Sequence, residues 1–431
     1  MWKKSLLALA ASTLVLSACS SESTDSTATV ESPSATEAAE TAAETSAPEA
    51  YAVTQGITDD EIYIQGFGPI TGPASWVGLG NRDGFSLAVD EINANGGIHG
   101  RQLRFDFADD EFEVSKAQGV VRKIIDQDKP FLVYSGTGST VFLSVADQLR
   151  EAKVPTFNGF SGSEAARQTP EVPNLYHGEA VSTLWVTPSF VEMINVNLKA
   201  KRVAIMNEDG EWGKTLCAGL VAELEALPEI EIVTQQTYGA ADTDFTGQLI
   251  AVRDANPQVV VNCGLFPAAK ILLRQANELG IEAVWLGDAG QANATVWAEA
   301  GAGAEDWLFN WYQPQYLTDT TGAMAEFRTK YLASYPDAPE GRPAHSDTFS
   351  YDAAYIIANA LDAAGPDLTA DKFLAAMSAV ENVNPTAISP NVNCANERNE
   401  CFIELSWNIV TDGTARAATA DDYSRLAAKI A

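Results

Sequence analysis

The stretch IYIQGFGPITGPASWVGLGNRDGFSLAVDEINANGGIHGRQLRFDF, residues 62–107, decides the fold class. IYIQGF (62–67) reads as a strand, after which Phe85, Ala88, Val89 and Ile92 recur at i, i+3, i+4, i+7 and mark one face of a helix. LRFDF (103–107) then alternates as a half-buried strand, so a crossover helix joining two parallel strands is expected. Between the first strand and the helix lies GFGPITGPASWVGLG (66–80), whose glycines pose a choice between a phosphate cradle and a pocket for another small solute. Gly78, Gly80 and Gly84 imitate a dinucleotide fingerprint, but the last interval is one residue too long. Pro69, Gly72 and Pro73 also interpose a loop between strand and helix, and no Lys-Ser or Lys-Thr of a Walker loop is present. A nucleotide is therefore disfavoured. Turn and helix-start geometry accounts for Gly66 and Gly84 but leaves Trp76, an apolar side chain in the loop at the carboxyl edge of a strand, where open parallel sheets bind ligands.

The alternation continues outward. Val114, Ala117, Val121, Ile124 and Ile125 mark a second helix, FLVY (131–134) a strand, VFLSVADQLREAK a third helix and VPTF (154–157) a fourth strand. A second series follows: RVAIMN (202–207), a helix carrying Leu216, Leu220, Val221 and Leu224, EIVTQQTY (231–238), a helix at 243–254, QVVVNC (258–263), the helix AAKILLRQANELG and AVWLG (283–287). Two doubly wound α/β lobes with parallel sheets are predicted. Helices at 322–335, 347–364 and 369–379 and a late strand IELSWNIV (403–410) exceed what either lobe lacks, so the chain is expected to cross between lobes more than once.

The first residues, MWKKSLLALAASTLVLSAC, pair two lysines with an apolar run too short to span a bilayer, as an export signal does. Leu16-Ser17-Ala18-Cys19 resembles a bacterial lipoprotein box, which implies a lipid on Cys19 and attachment to the outer face of a membrane. Residues 20–57 are rich in Ser, Thr, Ala, Glu and Pro and read as a disordered acidic tether. A net charge of −31 argues against nucleic acid as a partner. Cys217, Cys263, Cys394 and Cys401 remain, an even number in an exported chain. The short polar loop CANERNEC suits a pairing of Cys394 with Cys401; Cys217 with Cys263 would follow by elimination, although sequence alone does not fix the connectivity. His99, His177 and His345 show no ligand spacing with a cysteine, so neither a zinc site nor any other metal or cofactor is expected. No G-x-S-x-G, H-E-x-x-H or comparable catalytic motif occurs, and the adjacent Asp109 and Asp110 point opposite ways on an extended segment. An enzyme is not expected.

From PITGPASWVG through INANGGIHGR to the paired aspartates of DFADDE, the chain resembles the type I periplasmic solute-binding proteins of branched-chain amino acid transport systems. GTGSTVF, VPTF, SGS, EDGEWGK, TDFTGQL, RQANELG and SYDAAY continue the likeness in order, over roughly residues 58–415. The resemblance implies two lobes joined by about three crossovers and closing on a solute. It divides the chain into a signal (1–19), a linker (20–57), lobe 1 (58–178 with 314–390) and lobe 2 (179–313 with 391–431). It assigns the solute's carboxylate to Ser139 with Thr137 and Thr140, and to Phe160, Ser161 and Ser163. From the second lobe it points to Trp212, where the family has a tyrosine, to Leu265 or Phe266, and to Asp288, although the family's acidic position falls on Ala289. Trp76, Trp212 and Phe160 would make a more aromatic pocket than an aliphatic amino acid needs, suited to flat or cationic ligands. The function implied is a lipid-anchored receptor that hands a small organic solute, an amino acid or an aromatic or carboxylate compound, to the permease of an ABC importer. A sensor on the same fold is the alternative, and an exported hydrolase a more distant one.

Overall fold

The computed structural model describes residues 54–72, 74–166, 174–179, 185–312, 318–339, 341–389 and 392–431. The export signal, Cys19 and most of the tether lie outside the described residues. The chain begins with β1 (Glu61–Gly68), α1 (Ser75–Ala94), β2 (Gln102–Asp109), α2 (Val114–Lys123), β3 (Leu132–Ser135), α3 (Ser139–Ala152), β4 (Thr156–Asn158) and β5 (Leu175–Glu179). It goes on through α4 (Val186–Glu192), β6 (Arg202–Glu208), α5 (Glu211–Glu225), β7 (Glu231–Tyr238), α6 (Thr246–Ala255), β8 (Val259–Cys263), α7 (Phe266–Glu278), β9 (Val284–Gly287), α8 (Ala294–Ala300) and β10 (Leu308–Trp311). Then come α9 (Gly322–Ser334), α10 (His345–Ala364), α11 (Ala370–Met377), β11 (Glu400–Phe402), β12 (Ser406–Thr411), β13 (Thr414–Ala417) and α12 (Ala420–Ile430).

Two sheets result, one in each lobe. The first has the order β11-β5-β4-β3-β1-β2 with every pair parallel, and the second the order β13-β12-β10-β9-β8-β6-β7. The chain passes from one sheet to the other three times: after β5, after β10 and after β11. Strands buried on both faces explain the unbroken apolar runs, as in β8, where all of Val259–Cys263 is buried.

Two expectations need correction. The strand expected in IELSWNIV is present as β12 (Ser406–Thr411), which pairs with β10 in the second sheet, but the lobe boundary drawn ahead of it is displaced, because Glu400–Phe402 just upstream pairs parallel with β5 in the first sheet. The last crossing therefore falls at residues 403–405, and the lobe boundary drawn at 390/391 moves with it. Alternation reports that a segment is half-buried, not which sheet buries it. The second lobe is also not wholly parallel, because β12 pairs antiparallel with both β10 and β13. The β12–β13 turn is Asp412-Gly413, both at positive φ (52° and 70°), which matches the two-residue hairpin that a right-handed strand twist favours.

The glycines of the opening stretch have a packing role. A Cβ at Gly80 would stand 2.6 Å from Ser346 Cβ, and one at Gly84 would stand 2.8 Å from the Asp347 carbonyl carbon, so both let α10 lie close against α1. At this contact Ser350 Oγ donates to the Gly80 carbonyl (3.0 Å). The same helix start is held by a buried guanidinium: Arg342 Nε donates to Asp347 Oδ2 (2.8 Å), and Arg342 Nη2 donates to Asp83 Oδ2 on α1 (3.0 Å). Burial works against the charge on Arg342, but the two carboxylates prevail and raise its pKa further.

Each sheet reverses its winding once. In the first, β1 leads to β2 on one side while β3 lies on the other; in the second, β6 has β7 and β8 on its two sides. Loops leaving the carboxyl ends of such strand pairs diverge and leave a crevice between them. Residues 69–76 and 136–139 flank that point in lobe 1, and residues 209–211 and 264–266 in lobe 2.

Candidate functional site

In lobe 1 the loop after β1 is tied to the end of β2. Ile70 N and Thr71 Oγ1 donate to the Asp109 carboxylate (3.0 and 2.6 Å), which delivers Trp76 on the first turn of α1. Asp110 is wholly buried and accepts from Phe112 N (2.8 Å). Burial pushes its carboxyl upward, partly offset by the Phe112 amide and the Thr137 hydroxyl. One aspartate braces a loop and the other is sealed beneath it, an arrangement unlike an acid–base pair. Ser139 Oγ accepts from Gly162 N (3.2 Å) and joins the loops after β3 and β4. Asn158 holds the second of these loops, its Oδ1 accepting from Ser161 N (3.0 Å) and its Nδ2 donating to the Ser161 carbonyl (2.8 Å). Phe160 and Ser163 are carried by that loop, both buried.

In lobe 2, β6 ends on Glu208, which is only 5% exposed and whose Oε2 accepts from Leu265 N (3.1 Å). Burial pushes this carboxyl up, and the Leu265 amide only partly compensates. Nearby, Tyr238 donates to Asn262 Oδ1 (2.7 Å); burial first, then the charges of Glu208 and Asp288, hold its phenol well above the ordinary range. Phe266 opens α7. The disulfide Cys217–Cys263, with Cα atoms 5.8 Å apart, ties α5 to the end of β8; the second disulfide, Cys394–Cys401, closes the loop before β11 with Cα atoms 4.0 Å apart.

The lobes meet over these groups. Trp76 packs edge-on against Phe266 of the other lobe, with centroids 4.4 Å apart at 75°, and against Phe160 of its own lobe at 5.9 Å and 82°. Such edge-to-face geometry sets the positive rim of one ring on the negative face of another. Beside the rings, Ser163 Oγ donates across the gap to Glu211 Oε1 on the first turn of α5 (2.9 Å).

The sequence candidates fare unequally. Trp76, Phe160, Phe266 and Ser163 come together, while Thr137, Ser139 and Ser161 lie buried in the loops beneath. Thr140 is exposed on the first turn of α3. Trp212 packs half-buried against the lobe core and, among the described residues, makes no ring contact with Trp76, Phe160 or Phe266. Asp288 caps its own turn, accepting from Gly290 N (2.7 Å) and Gln291 Nε2 (3.3 Å), so its carboxylate is already engaged. Three groups escaped the sequence reading: Glu208, Glu211 and His345. Glu208 did leave a signal, as the acidic residue that closes the apolar strand RVAIMNE. His345 left none, and becomes notable only because its ring lies 5.9 Å from Phe160, 4.8 Å from Trp311 and 5.2 Å from Tyr312.

With this geometry in view, known proteins offer a comparison. The family model "Periplasmic binding protein" matches residues 61–400. A Leu/Ile/Val-binding protein of Rhizobium johnstonii is 30% identical over 237 residues, which are 53% of this chain and 62% of that protein. A leucine-, isoleucine-, valine-, threonine- and alanine-binding protein of Pseudomonas aeruginosa is 26% identical, covering 58% of this chain and 66% of its own length. The chain thus spans a little under two thirds of these two relatives. Among solved structures, the branched-chain amino acid transporter substrate-binding protein LivJ of Streptococcus pneumoniae, in complex with isoleucine, superposes with a TM-score of 0.71 at 21% identity, covering 83% of this chain and 99% of its own. A solute-binding protein of R. palustris in complex with benzoate gives 0.70 at 18%, covering 83% and 95%. These likenesses fix the fold as the type I two-lobe architecture. Through the match over residues 61–400, the chain belongs to the periplasmic binding protein family.

Proposed function

We propose that this protein is an extracytoplasmic receptor that captures a small organic solute between its lobes and delivers it to the membrane subunits of an ABC importer. One observation carries the reading: Trp76 of lobe 1 and Phe266 of lobe 2 meet at 4.4 Å, beside the Ser163–Glu211 hydrogen bond, where the switch points of both sheets face each other. A solute held there touches both lobes and so binds more tightly when they are closed. Closure then follows from differential affinity and needs no catalytic step. The curated relatives are named as binding proteins for amino acids, and the solved ones hold isoleucine or benzoate, which supports a solute of similar size. The sequence before the fold supports export, with Cys19 as the lipid-bearing residue.

The test is a thermal-shift screen of amino acids, aromatic acids, amides and amines, with tryptophan emission as a second readout. A true solute raises the melting temperature by mass action. It also changes the emission of the native protein, and Trp76→Phe reduces that change. A solute that stabilises the protein equally after Trp76→Phe and Phe266→Ala binds elsewhere, and the interlobe reading fails.

A further inference from the structure

The loop after β4 and the hinge are joined by one arginine. Arg398 stands in the loop closed by Cys394–Cys401, and its guanidinium reaches two carboxylates: Nη2 donates to Glu164 Oε2 (2.6 Å) and Nε donates to Glu400 Oε1 (3.2 Å). Glu164 is the chain neighbour of Ser163, whose hydroxyl donates across the lobes to Glu211. Glu400 is wholly buried on β11, the strand before the last crossing, and pairs in register with His177 of β5, the strand before the first crossing. Its second oxygen accepts from the indole Nε1 of Trp185, at the start of α4 in lobe 2. A continuous path thus leads from the Ser163–Glu211 bond through Glu164, Arg398 and Glu400 to Trp185, beside two of the three crossings.

The path is stiff where it turns. Asn396 Oδ1 accepts from Arg398 N (3.1 Å) and Glu400 N (3.2 Å), and its Nδ2 donates to the Glu400 carbonyl (2.6 Å). The Asn399 carbonyl accepts from His177 N (2.8 Å), so the loop is fixed both on itself and on β5. A guanidinium is a rigid planar fork that can grip two carboxylates at set positions, whereas an ammonium is a single point charge. A buried carboxylate is costly without a cation, and Arg398 supplies one to Glu400. Burial works against the charge on Arg398, but the two carboxylates prevail and raise its pKa. A shift of Glu164 is therefore passed on to Glu400 and Trp185 rather than absorbed by the arginine.

We infer that Arg398 is a positioning residue that couples the loop after β4 to the hinge, so that seating Ser163 against Glu211 and setting Trp185 beside the crossings are one cooperative event. The purpose of this coupling, solute-driven closure, rests on the receptor reading above; the coupling itself is a property of the chain without solute.

The experiment is hydrogen exchange by mass spectrometry on the full chain without added solute. It follows residues 159–166 after β4 and 185–192 at the start of lobe 2, with α6 (Thr246–Ala255) as an outside control. Trp185→Phe removes the indole donor at the hinge end, and Glu164→Gln removes the charge at the loop end. Each should raise exchange at the opposite end by about three- to fivefold, the effect of one lost hydrogen bond, and leave α6 unchanged. Arg398→Lys keeps a cation beside Glu400 but cannot grip both carboxylates, and should loosen both ends. The inference is overturned if the end variants change exchange only around their own sites, or if Arg398→Lys loosens residues 394–401 alone. A rise that includes α6 is global destabilisation and overturns it equally. Titration with isoleucine and benzoate, the solutes held by the solved relatives, then tests the purpose: the affinity of whichever binds should fall about threefold or more in Arg398→Lys. Unchanged affinity removes Arg398 from closure with the receptor reading intact. Binding of neither counts against the receptor reading, while exchange still decides the coupling.

Discussion

If Gly84 serves helix packing, replacing it with alanine should destabilise lobe 1 even though alanine is the better helix former. The new methyl would lie 2.8 Å from the Asp347 carbonyl carbon, against 3.4 Å for ordinary contact, and the Asp347 oxygen is nearer still. The Asp347 oxygen, 2.0 Å away, sets the requirement, and the α1–α10 spacing would have to open by about 1.4 Å to restore ordinary 3.4 Å contact. The obstacle is backbone in the first turn of a helix, which cannot rotate away as a side chain can. Overpacking of this kind costs up to about 3 kcal/mol, and the helix-propensity gain returns about 1 kcal/mol, so a net loss of about 2 kcal/mol is expected. Gly119, exposed within α2, provides the control: a Cβ there meets nothing within 4 Å, so Gly119→Ala should stabilise by about 0.5–1 kcal/mol. Urea denaturation followed by circular dichroism compares the two variants under one protocol. A Gly84→Ala protein whose midpoint equals or exceeds that of the native chain would refute the packing argument and reopen the question of what these glycines do.

Ser163→Ala and Glu211→Gln both weaken the hydrogen bond that spans the lobes; at about 1 kcal/mol net, solute affinity should fall about three- to tenfold in each, measured by titration, and unchanged affinity would mean the bond forms without contributing to closure. Removing the disulfides should have unequal consequences, because Cys217–Cys263 closes 46 residues and Cys394–Cys401 only 7. Loop entropy gives about 4 and about 2.4 kcal/mol respectively, so the double alanine variant of the first pair should melt lower, and the reverse order would show that strain or local contacts dominate. Asp422 is gripped by both Arg416 Nη atoms (2.8 and 2.7 Å), which with the Thr419 cap hold its carboxyl well below the ordinary range. A depressed folded value means the ion stabilises fully above the unfolded carboxyl range and loses that effect as pH falls toward the folded value. The stability gap between the native chain and Asp422→Asn should therefore be constant above about pH 5 and shrink steadily below pH 4, and a gap undiminished at pH 2 would contradict the pairing.

Periodicity in the chain was enough for the two α/β series. Strands such as QVVVNC, buried on both faces, and helices such as Phe85–Ile92, with one apolar stripe, carry their environment in local order, and the structure places them at β8 and α1. The positions of the candidate loops followed from the same order, since each loop is defined by the strand it leaves. That residues 400–402 and 406–411 belong to different sheets could not be read locally, because burial by either sheet produces the same local pattern. Gly80 and Gly84 of VGLGNRDG, only an imperfect imitation of a phosphate turn in sequence, proved to be helix contacts, which no local pattern announces, since their neighbours, Ser346 and Asp347, lie more than 260 residues away. Asp288 looked available until the fold turned it onto its own backbone, and Glu208 looked like the end of a strand until burial left it without a counter-ion. Local sequence thus determined which segments are strands and helices and which loops leave their carboxyl ends, because side-chain period is set by the few residues on either side. Only the tertiary structure decided which of those loops face each other and which polar groups remain unsatisfied, because both depend on where distant backbone and solvent end up.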